Sequence, residues 1–261
     1  MMKKTIFLLL LLVVAVSAVQ AYNNTYAVIV GVADYKNLGP QDDLRYTIND
    51  AVSFATFLKS KKGGNVPATN IILLVDQQAS KANIVAKSKE LFSKAKKDDR
   101  VIFYFGGHGV KGCFVPYDAD GSDTRFLYFD EIKAIFRCAK CDTKLLFADA
   151  CQAGSMKVGL RPNTKNRKKS ETENMNIAIM MACKNNENSA ELAQLRQGLF
   201  TYYLMEGLSG KANIDGNRYV TIQELFYYVY HKVQDKAKEL HHTQTPELFG
   251  NFDLRLIVAK V

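Results

Sequence analysis

The sequence is poor in the residues that mark several protein classes: its 261 residues include no tryptophan, five prolines and five cysteines. So few cysteines exclude a small disulfide-stabilised scaffold, in which they exceed about 8–10% of the chain. A hydrophobic share of 48% excludes an intrinsically disordered chain, and the overall composition excludes a collagen-like fibre and a coiled coil. The composition is therefore that of a globular protein long enough to bury a large core.

The chain starts with the features of an export signal. A pair of lysines is followed by an apolar run, Ile6–Val16, and by small residues up to Ala21. This pattern predicts that residues 1–21 are a signal peptide, removed before Tyr22, and that the protein is secreted or exported through the secretory pathway. The alternative is a membrane anchor, but the uncharged stretch is short for a span of about 20 residues. We expect no membrane span in the rest of the chain.

Positive charge is in excess, with 35 Lys and Arg against 26 Asp and Glu. The excess is concentrated in two lysine-rich stretches, 59–62 and 157–169, and no aromatic residues are interleaved with these lysines. Nucleic-acid-binding surfaces combine basic residues with aromatic ones, so these stretches indicate solvated loops. We expect polypeptide substrates, no nucleic-acid partner and a monomer.

Apolar runs alternate with helical patterns along most of the chain. The predicted strands are Tyr26–Val32, Ile71–Val75, Val101–Phe105, Leu145–Ala148, Ile177–Ala182 and a final edge strand, Phe252–Val258. The predicted helices are Ile48–Leu58, Ile84–Lys97, Asp130–Phe136, Leu199–Leu208 and Ile222–Ala237. This alternation predicts an α/β fold with a mostly parallel central sheet and helices on both faces. Residues 156–175 are polar, basic and aperiodic, which is typical of a flexible loop.

Two reactive side chains each follow a predicted strand. His108 lies in Gly106-Gly-His-Gly109, and Cys151 lies in Asp149-Ala-Cys-Gln-Ala-Gly154. Carboxyl ends of neighbouring parallel strands meet at one sheet edge, so we expect the imidazole and the thiol to lie side by side. A thiolate that attacks and an imidazole that protonates the leaving amine form the machinery of cysteine catalysis. The pair predicts a catalytic dyad, although either residue alone is more simply explained as structural.

The two motifs resemble the catalytic motifs of the caspase-like cysteine peptidases, most closely those of the metacaspases and their bacterial relatives. The likeness extends to Tyr26–Tyr35, Leu44–Ala51, Gly198–Tyr202, Glu206–Leu208 and Gln244–Pro246. It implies a caspase-like three-layer fold, endopeptidase activity through a thiol acyl-enzyme, and an oxyanion hole formed by the N–H groups of Gly109 and Cys151.

The same resemblance implies a division of the chain. Residues 22–261 would form a single peptidase domain, with a large-subunit-like part at 26–155 and a small-subunit-like part at 176–261. The basic linker 156–175 joins the two parts, in a region where many caspase-like peptidases are cut. It is polar and aperiodic, which makes it a suitable protease substrate. We expect self-processing after a basic linker residue; the candidates are Arg161, Lys165, Arg167, Lys168 and Lys169.

Two acids indicate the substrate preference. Caspases that cut after aspartate have glutamine two residues before the nucleophile, whereas Asp149 stands there and matches the metacaspases. Asp50 matches a second acid of their specificity pocket. Two carboxylates in one pocket favour a bound cation, so we expect cleavage after Arg or Lys. Two alternatives stay open. Arg45 neutralises Asp50 and keeps an aspartate preference, or the cleavage follows asparagine, because Asp149–Met156 also resembles legumain, an asparaginyl peptidase of the same clan.

Both acids also have a simpler structural explanation. Asp50 lies in the first turn of a predicted helix, where acids suit the helix dipole, and Asp149 could be a buried structural acid. Gly106 replaces a serine that is frequent in metacaspases two residues before the histidine. This replacement predicts a roomier or less selective pocket.

Metal sites are weakly indicated. Cys138-x-x-Cys141 could be half of a zinc site or a redox pair, but no second pair of ligands accompanies it. Apart from Cys151, the cysteines form an even set of four in which disulfides are possible, with unassigned partners: Cys113, Cys138, Cys141 and Cys183. Metacaspases are often activated by calcium, and the candidate ligands here are Asp118, Asp120, Asp123, Asp130 and Glu131. We expect no metal or cofactor to be required, with calcium activation left open.

A rival function comes from another class of protein. A caspase-like module without catalysis would bind partners or regulate a true peptidase. Loss of His108 or Cys151 would favour that function, and both residues are present. The sequence therefore favours the enzyme.

Overall fold

A computed structural model describes residues 22–110, 112–120, 122, 125–150, 176–184 and 186–261. The predicted signal peptide, Cys151, Asp123 and the basic linker lie outside these residues. The described helices are α1 (Thr47–Lys59), α2 (Lys81–Phe92), α3 (Phe129–Arg137), α4 (Leu199–Glu206) and α5 (Ile222–Glu239). The described strands are β1 (Thr25–Gly31), β2 (Ile71–Val75), β3 (Arg100–Gly107), β4 (Gly109–Val110), β5 (Cys113–Phe114), β6 (Leu127–Tyr128), β7 (Thr143–Ala150), β8 (Ile177–Met181), β9 (Glu191–Leu192), β10 (Gln197–Gly198), β11 (Tyr219–Thr221), β12 (Glu247–Gly250) and β13 (Ile257–Lys260).

The central sheet has six strands in the order β12-β8-β7-β3-β1-β2. Five of them run parallel, and β12 is antiparallel to its neighbour β8. Strand β3 lies in the interior of the sheet and is buried along its whole length. For this reason its sequence does not alternate between apolar and polar residues. The predicted mostly parallel sheet is confirmed.

Helices cover both faces of this sheet. Side chains alternate along each strand, so Phe103 and Phe105 of β3 pack on one face while Ile102 and Tyr104 pack on the other. The first face is covered by α2 and α3, and the second by α1, α4 and α5. These two cores give the expected three-layer architecture. In the described part of the chain, no helix has the length and apolarity needed to cross a bilayer.

The predicted final edge strand was wrong. The strand at the sheet edge is β12, five residues upstream of the predicted start, and β13 pairs instead with β11 in a separate two-stranded sheet. The intervening residues turn back on themselves, because Leu256 N–H donates to Asp253 O and the Arg255 side chain binds the Asp253 carboxylate. An apolar composition alone did not reveal this local turn.

Two predicted helices end earlier than expected. Helix α2 ends at Phe92 rather than Lys97, where the Ser93 hydroxyl donates to Glu90 O and the chain turns. Helix α4 ends at Glu206, and a single π-helical turn, Gly207–Lys211, follows it. These differences lie away from the sheet edge where His108 and Cys151 were predicted to meet.

Candidate active site

The register of β3 and β7 brings the two predicted catalytic motifs to one sheet edge. Gly106 pairs with Asp149 and Gly107 pairs with Ala150, at the carboxyl ends of both strands. His108 follows directly and is half-buried. Cys151 lies outside the described residues, so only the imidazole half of the predicted dyad has a described geometry.

His108 has a hydrogen-bond partner that the sequence did not reveal. Its Nε2 lies 2.6 Å from the main-chain carbonyl oxygen of Asp42, in the loop between β1 and α1. A carbonyl only accepts, so Nε2 carries a proton and donates it. The other ring nitrogen, Nδ1, is then the one that can exchange a proton. The sequence could not predict this hydrogen bond, because any residue at position 42 supplies the same main-chain carbonyl.

The main chain after His108 turns into a short hairpin. Val115 N–H donates to His108 O over 3.0 Å, and Gly109 stands opposite Phe114. This is the pattern of a non-hydrogen-bonded antiparallel pair, in which the hairpin does not use the Gly109 N–H. Gly109 also lines the cavity beside His108. The oxyanion-hole role of Gly109 stays a prediction.

The two predicted pocket acids lie together. A Cβ built on Gly198 would lie 2.6 Å from Asp149 Oδ2 and 2.8 Å from Asp50 Oδ2. Both carboxylates therefore pack against the same glycine, and only a residue without a side chain fits between them. Gly198 N–H donates to both oxygens of Asp50 at 3.0 and 2.9 Å. Asp50 in α1 and Asp149 in β7 reach this point from different elements.

Asp149 is anchored by hydroxyl groups and a helix terminus. Oδ1 accepts from the Ser189 hydroxyl at 2.6 Å, and Oδ2 accepts from the hydroxyl and N–H of Thr201, at the start of α4. Burial nevertheless raises the pKa of Asp149, since its desolvation outweighs these stabilising bonds. A cation placed beside Asp149 would therefore stabilise its ionised form.

The charge of both acids also acts on a neighbouring phenol. Tyr104 is fully buried in β3 and its hydroxyl lies 2.7 Å from Thr201 Oγ1. Burial, followed by the nearby charges of Asp50 and Asp149, raises the pKa of Tyr104 well above its ordinary value. This tyrosine stays neutral and supports the Thr201 hydroxyl that binds Asp149.

His108 and the two acids line one open cavity of about 740 Å³. Its lining also includes Gly198, which lies between the two acids, and Arg45. Arg45 is exposed to solvent. The cavity therefore combines a histidine with a pair of carboxylates.

The expectation of a roomier pocket at Gly106 was wrong. A Cβ on Gly106 would lie 2.9 Å from Cγ2 of Thr47 and 3.2 Å from the Tyr104 hydroxyl. Thr47, the first residue of α1, is buried and fills the space that a serine side chain at position 106 would take. Position 47 was not singled out from the sequence, because its relation to Gly106 arises only in the folded chain.

The candidate calcium ligands that the structure describes are engaged with cations. Arg125 pairs with both Asp118 and Asp120, Lys133 with Asp130, and Lys81 with Glu131, at 2.8–3.5 Å. Asp118 also accepts from the N–H at the start of α2. Within the described ranges, no group of three or more metal-binding side chains is assembled.

The four cysteines outside the predicted dyad are present as thiols. Each Sγ donates to a main-chain carbonyl, at 2.8 Å for Cys113, 3.5 Å for Cys138, 3.4 Å for Cys141 and 3.3 Å for Cys183. Cys138 and Cys141 bond to different carbonyls, and burial raises the pKa of Cys141 to about 11. A thiol so reluctant to ionise is a poor metal ligand and a poor nucleophile.

Comparison with known proteins decides the family. A family model described as the caspase domain matches residues 24–255. The chain belongs to the caspase domain family. This membership is consistent with the sheet order, and it makes the chain a member of a cysteine peptidase family.

Sequence relatives within and near this family cover only part of the chain. Metacaspase-1A of Aspergillus oryzae is 30% identical over 108 residues, which is 39% of this chain and 25% of the relative. A protein named as a probable protease of a Desulfuromonadales bacterium is 26% identical over 132 residues, 42% of this chain and 16% of the relative. The chain thus matches a quarter or less of the length of these relatives.

Solved structures agree with the family on the fold. Caspase-1 from Spodoptera frugiperda superposes with a TM-score of 0.63 and 16% identity, over 92% of this chain and 91% of the other. A protein from Geobacter sulfurreducens superposes with a TM-score of 0.56 and 16% identity, over 88% and 94%. These likenesses confirm the caspase-like three-layer fold.

Proposed function

We propose that this chain is a cysteine endopeptidase that uses Cys151 as nucleophile and His108 as general acid–base, and that it cleaves after Arg or Lys. The observation that carries the proposal is one cavity that joins His108 to the carboxylates of Asp50 and Asp149. The histidine supplies the chemistry, and the acids supply a place for a basic side chain.

The proposed reaction follows from the hydrogen bonds of His108. With Nε2–H donated to Asp42 O, Nδ1 takes the proton of the Cys151 thiol. The thiolate attacks the peptide carbonyl, and the N–H of Gly109, together with that of Cys151, stabilises the oxyanion. Nδ1–H then protonates the leaving amine, and water hydrolyses the acyl-enzyme. The pairing of Gly107 with Ala150 supports this assignment, since His108 and Cys151 are the next residues.

The preference for a basic P1 residue rests on electrostatics. Two carboxylates packed on Gly198 repel each other, and a guanidinium or ammonium group relieves the repulsion. An Asp at P1 would add a third carboxylate to the two that already lie against Gly198. These contacts favour Arg or Lys over the alternatives of Asp and Asn.

Cleavage of fluorogenic peptides with Arg, Lys, Asn or Asp at P1 tests the proposal. We expect Arg and Lys substrates to be preferred, and Cys151→Ala and His108→Ala to be inactive. Asp50→Asn should lower kcat/KM for Arg by about 10–100-fold, which is about 1.4–2.7 kcal/mol. Asp235→Asn, an exposed acid on α5, is the matched control. A preference for Asp, or wild-type rates in either dyad variant, contradicts the proposal.

The alternative function, a caspase-like module that binds partners without catalysis, is separated by an active-site thiol probe. We expect the probe to label the wild-type protein but not Cys151→Ala. Cys138→Ala is the matched control, because Cys138 is the most exposed of the four described thiols. Absence of labelling under reducing conditions, with or without calcium, would favour the module.

We further propose that the protein is exported as a monomer and processes its own linker. The basic residues from Arg161 to Lys169 match the P1 preference proposed for the pocket. Mass spectrometry should find an N-terminus at Tyr22 and fragments of about 16 and 10 kDa, from an average residue mass. Fragments that persist in Cys151→Ala, or an active chain that stays uncut, exclude self-processing.

A further inference from the structure

One buried tyrosine is attached to the proposed general acid–base by two separate contacts. Tyr35 is 2% exposed, and its ring is stacked on the His108 imidazole with centroids 5.0 Å apart and planes 25° apart. The Tyr35 hydroxyl accepts a 2.7 Å hydrogen bond from the His108 main-chain N–H. The phenol thus fixes both the backbone and the ring of the same histidine.

The chain before His108 is shaped to bring this hydroxyl close. Gly107 has φ 152°, and a Cβ built on it would lie 2.9 Å from the Tyr35 hydroxyl and 3.0 Å from the Phe105 ring. A larger residue at position 107 would push the phenol away from His108. Glycine is therefore needed here for the close approach itself.

We propose that Tyr35 is a positioning residue that sets the orientation of the His108 imidazole for proton transfer. The inference rests on the proposed function, in which Nδ1 of His108 exchanges protons with the thiol and the leaving amine. Asp42 O holds the ring at one atom, Nε2, which leaves rotation about that hydrogen bond undetermined. The stacked phenol covers one ring face and removes this freedom, so Nδ1 keeps one direction.

A tyrosine that only filled the core would not need its hydroxyl here. The ring alone would satisfy packing, whereas the hydroxyl accepts a main-chain N–H of the very residue on which the ring is stacked. Two substitutions separate these contributions. Tyr35→Phe keeps the stacked ring and loses the acceptor, while Tyr35→Leu loses both.

Steady-state kinetics on an Arg substrate measures the positioning effect. Misplacement of a reacting group by 1 Å costs about 100-fold, so Tyr35→Leu should lower kcat by about that factor and change KM by less than about twofold. Tyr35→Phe should have a kcat about tenfold higher than that of Tyr35→Leu, and therefore about tenfold below the wild type. Tyr228→Phe is the matched control and should keep the wild-type kcat. Tyr228 is a half-buried tyrosine on the opposite face of the sheet from Tyr35, and its hydroxyl donates to Glu206.

An NMR measurement tests the geometry without activity. The chain has four histidines, so the His108 ring resonances can be assigned with His108→Ala. The stacked phenol should shift them upfield, Tyr35→Phe should keep this ring-current shift, and Tyr35→Leu should lose it. Unchanged His108 resonances in Tyr35→Leu, or a loss confined to KM, overturn the proposal.

The outcomes separate this inference from the proposed function. If His108→Ala is inactive and Tyr35→Leu keeps the wild-type kcat, the positioning role is wrong and the peptidase assignment stands. If His108→Ala keeps the wild-type rate, both fail. If Tyr35→Leu does not fold, Tyr35→Phe decides, since a wild-type kcat in that variant removes the role of the hydroxyl.

Discussion

Nε2 of His108 donates to the main-chain carbonyl of Asp42 and not to a carboxylate. The Asp42 side chain is engaged elsewhere, because its Oδ2 accepts from Gln41 Nε2 at 2.9 Å. A carbonyl does not titrate and remains when the side chain changes. The partner that orients the histidine is therefore insensitive both to pH and to the identity of residue 42.

Asp42→Ala should consequently keep the wild-type kcat within about threefold, which is less than 1 kcal/mol of transition-state stabilisation. The expected result distinguishes the carbonyl from a catalytic carboxylate, whose removal from a catalytic triad costs about 10⁴ in kcat. Hydrolysis of an Arg substrate provides the measurement, with Asp43→Ala as the neighbouring control. A drop of 100-fold or more in Asp42→Ala alone would mean that the carboxylate takes part.

Asp149 carries an electrostatic cost that the proposed substrate relieves. Burial raises its pKa, so the folded chain binds this proton more tightly than the unfolded chain does. The stabilising contribution is therefore fully present below the unfolded pKa, near 3.9, and is lost as pH rises through the raised folded pKa. At neutral pH the ionised carboxylate lowers the free energy of unfolding.

Asp149→Asn removes this ionisation. We expect Tm at pH 7 to be equal to or higher than that of the wild type, with the difference shrinking at about pH 4. We also expect kcat/KM for an Arg substrate to fall by about 10–100-fold. In the wild type, kcat/KM should decline on the acid side partly because Asp149 gains its proton, and the variant should lack that part of the decline. A clearly lower Tm at pH 7 would show instead that the bonds to Ser189 and Thr201 need the charge.

The sequence predicted the layers and the sheet edge at which the two motifs meet, because both depend on local patterns. Continuous apolar runs specify buried parallel strands, and a strand followed by glycine and histidine specifies the edge. The register of β3 and β7 then places Gly107 opposite Ala150 without further information. The pairing of Asp50 with Asp149 was also predicted, through the family resemblance.

The relations that the sequence did not reveal join segments that are distant in the chain. The carbonyl of Asp42 binds His108, which lies 66 residues later in the chain. Gly198 contacts Asp50 and Asp149, and these three residues come from three separate segments. The edge strand was misplaced because β12 and β13 are both only four residues long, and only tertiary pairing shows which of them joins the central sheet. A main-chain carbonyl and a glycine have no functional side chain. The sequence therefore could not predict that these groups bind His108 and separate the two acids.

Chelation provides a test of metal dependence. The described candidate calcium ligands are paired with Arg125, Lys133 and Lys81, so a cation would have to displace a bonded side chain. We expect EGTA to leave the rate of peptide hydrolysis unchanged within about twofold, and added calcium not to increase it. Arg125→Ala removes the cation from Asp118 and Asp120 but leaves their bonds to Lys81 N–H and Ser122, and it provides a variant in which a calcium response would be easier to produce. A wild-type rate that depends on calcium by tenfold or more would contradict this prediction.

Thr47 and Gly106 occupy one volume beside the acid pair, so their side chains should be coupled. In Gly106→Ser the new Cβ would lie 2.9 Å from Thr47 Cγ2, closer than a real Cβ contact allows. We expect this variant to lose about tenfold in kcat/KM for an Arg substrate, because Thr47 starts α1 and its displacement moves Asp50 three residues later.

Thr47→Ser removes only the methyl group that causes the contact and keeps the hydroxyl. The single variant should retain the wild-type rate within about threefold, since its loss is one methyl at the edge of the core. The double variant should recover most of the tenfold loss, giving a coupling of about 1 kcal/mol, in the range for residues in direct contact. Additive effects in the double-mutant cycle would show that Gly106→Ser acts through another neighbour, such as the Tyr104 hydroxyl at 3.2 Å.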